Sequence, residues 1–339
     1  MAKKVIEVGS VEGKKLAAEA EAAKAAAAKA KALAEAEEAE LPNARPVPEV
    51  QVLPLPYDQA SFEQQGKELT RYHFGPSLKR PFLYPVNGIA GRSLTRMGHP
   101  RDPLSHSHHN SVWISHQNVG GVNFWEDRPG PQIKCERIEQ YEDGDASAWL
   151  LAVNTWQDAD GKTIMLERRR IEVQPHSPEQ WLMLIDMQLG APDNEPLVLG
   201  ETAFGMIGVR MAKPIGVHDG GGRILNSEGS AGEPDIFRKP ARWVDYSGPA
   251  APGATGGITL MDHPSNPGHP TPFHVRSDGW MGVCLTFAAP ITIEPGRPLR
   301  LRYGLWTHAG VPTAAEIDAH WQPFSQTALP SMLRQPGRK

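Results

Sequence analysis

Ser147-Ala-Trp-Leu-Leu-Ala-Val-Asn-Thr-Trp-Gln-Asp-Ala-Asp-Gly-Lys-Thr-Ile-Met-Leu-Glu-Arg-Arg-Arg-Ile-Glu-Val173 reads as two strands around a turn. Runs of apolar and β-branched residues flank Asp158-Ala-Asp-Gly161, and a short Gly-containing loop between such runs is a hairpin signal. The same texture recurs at residues 133–140, 181–189, 197–201, 204–210, 258–262, 281–287 and 299–307. Among the 339 residues, 33 are Gly and 32 are Pro, spread between these runs. Many short strands separated by turn residues point to an all-β fold, a large antiparallel β-sandwich.

Helix is expected only at the two ends. Residues 14–40 are a low-complexity block of Ala, Lys and Glu, all strong helix formers, but with no apolar stripe wide enough to dock on a core. Leu41-Pro-Asn-Ala-Arg-Pro-Val-Pro48 then stops the helix. Near the other end, Thr313-Ala-Ala-Glu316 has the form of a capping box and leads a short helix over 313–321. The organisation expected is a helical extension and linker over 1–45, followed by one β domain over 46–339 with no internal repeat.

Composition removes several function classes. A net charge of −4 without a basic stripe argues against nucleic acid. Cys135 and Cys284 are the only cysteines, too few for a disulfide framework or a cysteine zinc site, and they suit free core thiols in a reducing compartment. No run of about 18 apolar residues is present to span a membrane, and the N-terminus lacks the apolar segment of a secretory signal. A cytoplasmic protein is the expectation. Gly220-Gly-Gly222 precedes no helix, so a phosphate-binding loop is not indicated, and a Gly-x-Ser-x-Gly elbow is missing. These features name no cofactor and no oligomeric state.

Chemistry concentrates in His106-Ser-His-His-Asn-Ser-Val-Trp-Ile-Ser-His116, which holds four of the 13 histidines and runs towards Asn123-Phe-Trp125. Imidazole titrates near neutral pH and ligates metals through either nitrogen. If the segment is extended, period-two alternation places His106, His108, Asn110 and His116 on one face and His109 on the other. A His-x-His pair also begins cupin metal sites, but those continue with a carboxylate where this chain has Ser111 and Val112. No residue is therefore assigned as a metal ligand, and acid–base or hydrogen-bonding roles are preferred.

Two further stretches qualify. Asp262-His-Pro-Ser-Asn-Pro-Gly-His-Pro-Thr-Pro-Phe-His-Val-Arg276 packs histidines, Asn266 and Arg276 between prolines, which stiffen a loop and lower the entropy cost of holding polar groups in place. The plainer reading is a structural turn. Leu301-Arg-Tyr-Gly-Leu-Trp-Thr-His308 is strand-like and could present Trp306 and His308 at a rim, although burial of Trp306 is equally natural. In Glu201-Thr-Ala-Phe-Gly-Met-Ile-Gly-Val-Arg210 the terminal charges suit a buried ion pair as well as a site. His73, His176 and His320 read as ordinary surface or core residues. Aromatic faces beside Asn, Arg, His and carboxylates are the ingredients of a carbohydrate site.

Together, Arg80-Pro-Phe-Leu-Tyr-Pro85, the His106–His116 segment with Asn123-Phe-Trp125, Ala241-Arg-Trp-Val-Asp-Tyr-Ser-Gly248, the 262–276 stretch and Trp306-Thr-His308 resemble a bacterial family of unknown function labelled PmoA-like, or "methane oxygenase PmoA". The resemblance covers roughly residues 75–312. It implies the supersandwich architecture of galactose-mutarotase-like proteins, including aldose epimerases, which use a His and a carboxylate as acid and base on a sugar ring. The expectation is a protein, leaning to an enzyme of epimerase, lyase or hydrolase type, acting on a small-molecule carbohydrate. His108, His116, Glu201, Asp262 and His263 are its acid–base candidates. His106, His109, Asn110, Trp125, Asn266, His274, Arg276, Trp306 and His308 are its substrate-binding candidates. The alternatives are a metal-dependent enzyme, oxidative or not, built on His106 and His108, and a non-catalytic carbohydrate-binding module. One shared pocket for His108, His116, His263, Asn266 and Arg276, walled by Trp125 or Trp306, is expected.

Overall fold

A computed structural model describes residues 11–38, 46–98 and 106–335. The hairpin forms as read: Ala148–Gln157 pairs antiparallel with Thr163–Ser177, setting Leu150 opposite Ile171 and Ala148 opposite Val173. These alternate residues are buried in the core, as the period-two geometry of a strand requires.

The hairpin belongs to an eight-stranded antiparallel sheet. Its order is Arg223–Asn226, Trp243–Ala251, Ala254–Asp262, Leu299–Ala309, Gln180–Gly190, Thr163–Ser177, Ala148–Gln157 and Gln132–Glu142. A nine-stranded sheet runs Val50–Leu55, Gln59–Gln64, Lys67–His73, Phe82–Val86, Val112–His116, Gly205–Arg210, Trp280–Cys284, Pro272–Arg276 and Lys239–Pro240. Leu197–Leu199 and Ile291–Ile293 form a separate pair. One core cluster draws on both large sheets, with Phe62, Ile114, Val209 and Val283 from the nine-stranded one and Ile171, Ile185, Tyr246 and Leu305 from the other. The protein is an all-β antiparallel sandwich, as expected. Cys135 and Cys284 are free thiols, Cys284 buried and Cys135 half-buried.

Residues 1–47 and 48–339 cluster as two compact units. Within the first, Val11–Glu38 is helical, and its described side chains are all exposed. In the second, Ala314–Ser325 is the C-terminal helix, and Thr313 with Glu316 forms the capping box. Ile317, Trp321 and Phe324 of this helix bury against Leu184, Trp243 and Trp306 on the outer face of the eight-stranded sheet. Burial of Phe324 carries the helix four residues past the expected end at 321. Helix is also not confined to the ends: single turns occur at Val217–Gly220 and Glu233–Ile236, too short to leave a periodic apolar pattern in sequence. The second half of the proline-rich stretch, Pro272–Arg276, is a strand paired with Trp280–Cys284. Its alternation places Phe273 and Val275 in the core and leaves His274 and Arg276 on the outer face. No helix among the described residues is long and apolar enough to cross a membrane.

Candidate functional site

The histidine segment divides at Ser111. That residue has φ of 60°, a left-handed conformation that breaks the side-chain alternation of a strand. Before it, residues 106–110 form a turn, with His109 N–H donating to the His106 carbonyl at 3.2 Å. The turn draws three imidazoles together: ring centroids are 6.0 Å apart for His106 and His108, 5.0 Å for His106 and His109, and 4.5 Å for His108 and His109. After it, Val112–His116 is a regular strand whose Val112 and Ile114 enter the core.

His116 therefore parts from His108. Its ring is fully enclosed, Nδ1 accepting from the Asn118 N–H at 3.1 Å and Nε2 lying 2.9 Å from Thr286 Oγ1. Thr286 Oγ1 in turn donates to the Gly200 carbonyl at 2.8 Å. That chain is satisfied when Nε2 carries the proton, so His116 is a neutral structural residue. Burial pulls its pKa down to about 4.

Trp113 faces outward and lies against Gly208, where a Cβ would sit 2.5 Å from the indole. Only glycine lets the ring approach the sheet this closely. Asn123 Oδ1 accepts from the N–H groups of Trp125 and Glu126, at 2.9 and 3.3 Å, and this turn sends Phe124 inward against Trp156 and Trp125 outward. Trp125 lies 5.4 Å from Trp113, 5.7 Å from Phe204 and 6.1 Å from both Trp280 and His108. His109 is wedged between Trp113 and Trp280, at 5.2 and 5.9 Å.

Beside this aromatic cluster lies a cavity of about 350 Å³ on the outer face of the nine-stranded sheet, at the lower end of the usual range of roughly 300–1,000 Å³ for ligand pockets. Its lining is His106, His108, His109, Gln117, Trp125, Glu126, Phe204, Arg210, His274, Arg276, Asp278 and Trp280. Burial, reinforced by the nearby Arg80 cation, brings His108 down to about 4. Burial brings His274 to about 3, against an opposing pull from the Ala203 carbonyl. Both are neutral at pH 7.

Arg80 holds this site together and was not singled out by its own chemistry in sequence. Its buried guanidinium donates to Asn110 Oδ1 at 2.7 Å and to the carbonyls of Phe124 and Trp125 at 3.1 and 3.0 Å, and it pairs with Asp127 at 2.9 Å. One cation thus ties the histidine turn to the Trp125 turn. Asn110 is a clamp for Arg80, away from the cavity lining. Arg80→Met should cost about 2–3 kcal/mol, the scale of leaving buried acceptors unpaired, since Asp127 keeps partial access to solvent. Urea unfolding should show the loss and near-UV circular dichroism the loosening of Trp113 and Trp125. Unchanged stability would show that Arg80 does not organise the site.

The other expected site residues lie elsewhere, so the single shared pocket is not formed. Asp262 is enclosed and accepts from Asn266 Nδ2 at 2.7 Å, Thr271 N–H at 3.0 Å and Thr271 Oγ1 at 2.8 Å, with His269 Nδ1 also 2.8 Å away. Asn266 exchanges bonds with the Arg302 backbone, both at 2.8 Å, and His263 Nδ1 lies 2.7 Å from Ser265 Oγ. Asp262 and His263 thus find their partners within the proline-rich loop, and Asn266 ties that loop to the Leu299–Ala309 strand. Glu201 is exposed, and the ion pair of Arg210 is with Asp278, at 2.9 Å, not with Glu201. His308 Nε2 lies 2.8 Å from Asp245 in a buried network. Trp306 stacks on His320 at 3.9 Å in a second cavity of about 320 Å³, under the C-terminal helix, to which His176 and His320 contribute. Of the sequence candidates, His106, His108, His109, Trp125, His274 and Arg276 come together in the first cavity. Arg210, weighed in sequence as either an ion-pair partner or a site residue, is both, and Gln117, Glu126, Phe204, Asp278 and Trp280 join the lining unforeseen. Among the described residues, no group of three His, Cys, Asp or Glu side chains is arranged to hold a metal ion.

A model described as "Family of unknown function (DUF6807)" matches residues 59–322, and the chain belongs to this family. No curated protein matches the sequence. Among solved structures, one titled "Putative kojibiose phosphorylase from human microbiome" aligns with 83% of this chain and 37% of its own, at 9% identity and a TM-score of 0.34. The chain thus spans little more than a third of that structure's length.

Proposed function

We propose that this member of a family of unknown function binds a small carbohydrate in the cavity beside the histidine turn and performs acid–base chemistry on it. The observation that carries the reading is the cavity wall itself. Trp125, Trp280 and Phe204 supply aromatic surface next to His106, His108, His274, Gln117, Glu126 and Asp278. Sugar C–H faces stack on such rings while hydroxyls take polar partners. His108 is the base, being neutral and within the wall, and Glu126 is the carboxylate of the same cavity. The PmoA-like resemblance supports the same choice, since it runs through the His106–His116 segment and Asn123-Phe-Trp125.

Incubating a panel of mono- and disaccharides with the protein, followed by proton NMR, tests catalysis, and quenching of tryptophan fluorescence tests binding. Quenching without turnover would reduce the reading to a carbohydrate-binding module. Neither signal across the panel would overturn it.

The three adjacent imidazoles favour a second reading, a metal-dependent enzyme. Their rings would have to turn to present nitrogens to one ion. Metal analysis of protein purified without a histidine tag separates the readings: one equivalent of iron, copper, manganese or zinc bound through this turn supports the second.

A further inference from the structure

The register of three neighbouring strands sets Arg210 opposite Trp280 and Trp280 opposite Arg276. Cross-strand partners project on the same face of a sheet, so these side chains form a row, and all three line the cavity. Arg276 is at the rim, about half exposed and 3.2 Å from Glu233. Arg210 is at the floor and fully buried.

The guanidinium of Arg210 is only partly used. Nη1 donates to Asp278 at 2.9 Å, while Nε and Nη2 are buried without an acceptor, as is Nε1 of Trp280. Nε and Nη2 form one edge of the guanidinium, two parallel N–H groups in one plane. A buried donor without an acceptor is costly, and this edge leaves two such atoms, with a third on the indole of its cross-strand neighbour. The surrounding charges are close to balanced. Arg96 donates to the Asp278 carbonyl at 3.3 Å, Asp219 acts on both Arg96 and Arg210 from further away, and Glu126 lines the same cavity. Selectivity must therefore come from the geometry of the donors, more than from net charge. Two parallel N–H groups match the two oxygens of a carboxylate, and such bidentate charge-assisted bonds are roughly twice as strong as neutral ones.

We propose that the sugar this cavity takes carries a carboxylate, seated on the Nε/Nη2 edge of Arg210 with its ring on Trp280 and Arg276 closing over it from the rim. The inference rests on the reading of the cavity as a carbohydrate site and narrows it to uronic acids and their glycosides.

Calorimetric titration of the full-length protein with methyl glucuronide and methyl galacturonide, each beside its neutral methyl glycoside and the matching sugar 6-phosphate, tests it. The uronides should bind about tenfold or more tighter than their neutral parents, the worth of one charge-assisted pair. Arg210→Met and Arg210→Lys should erase that preference, because a lysine cannot reproduce the fork. Arg276→Gln, at an exposed position that tolerates change, should reduce the preference without abolishing it, which keeps the test valid should the buried Arg210 variants fail to fold. Equal affinity for uronides and neutral glycosides would overturn the carboxylate while leaving the carbohydrate reading intact. Tighter binding of the 6-phosphates than the uronides would overturn it in favour of a tetrahedral oxyanion. No binding by any of the sugars would overturn the carbohydrate reading and this inference together.

Discussion

Acidifying the protein from pH 7 to pH 4 is expected to remove about 6 kcal/mol of folding stability through two histidines alone. Burial lowers His116 to about 4 and His274 to about 3, while in the unfolded chain each titrates near the ordinary value of about 6.5. Below pH 6.5 the unfolded state therefore binds two protons that the native state refuses. Stability rises with pH wherever the unfolded state holds more protons, so it is complete above pH 6.5 and is lost as pH falls towards the folded values. Each group contributes about 1.4 kcal/mol per pH unit across that window, or about 3 kcal/mol by pH 4. Half-buried His108 adds a smaller share in the same direction. Glu172, held below the usual carboxylate range by Arg170 despite its burial, also favours loss in acid. Asp186, raised by burial, opposes it. Urea unfolding at intervals from pH 8 to pH 4.5 measures the slope. His116→Asn and His274→Gln should each flatten it by about one proton, whatever they cost at pH 8. A stability that stays level across this range would mean that neither ring is buried in its neutral form.

The strand architecture was legible because it depends on local pattern. The 147–173 hairpin and the capping box at Thr313 are written in residues that touch near neighbours in sequence. The site was legible as a choice of residue types at His106, His108 and His109, but its partners were not. A single serine with positive φ undoes the parity argument that linked His108 to His116, and nothing in Ser111 itself announces that conformation. Asp262, His263 and Asn266 drew attention for a sound reason, a dense set of polar groups. Buried polar groups need partners, and here the loop supplies its own: Asp262 takes four contacts from within nine residues. Arg80 and Arg210 erred in the other direction. Arg80 follows a lysine and Arg210 ends an apolar run; the meaning of Arg80 lies in contacts from 28 to 45 residues away and in Asp127 beyond them, and that of Arg210 in a contact 68 residues away. Only the register of paired strands brings Arg210, Trp280 and Arg276 into a row.

With any sugar that the panel shows to be turned over, His108→Ala should lower kcat by about 10²–10⁴-fold, the usual worth of a general acid or base. The melting temperature should change little, because the ring stands in a cavity wall and its turn is held through Arg80 and the backbone. His108 is the best placed of the histidines for this role. His116 has both nitrogens engaged inside the sandwich, and His109 is wedged between two indoles. The pH profile separates a chemical role from a merely supporting one. In the free protein His108 protonates only near 4, so kcat/KM should stay level from pH 8 to about pH 5, without the acid limb near 6.5 that an ordinary catalytic histidine produces. A carboxylate on Arg210 would draw the His108 pKa upward in the complex, since a nearby negative charge favours the imidazolium. The acid limb of kcat should then lie at higher pH than that of kcat/KM. That separation brings the base closer to the working pH at the moment of reaction, where proton transfer is most efficient. A kcat/KM limb at 6.5 that survives in His108→Ala would assign the base to another residue, and a variant that loses melting temperature but keeps its kcat would reduce His108 to a support for the turn.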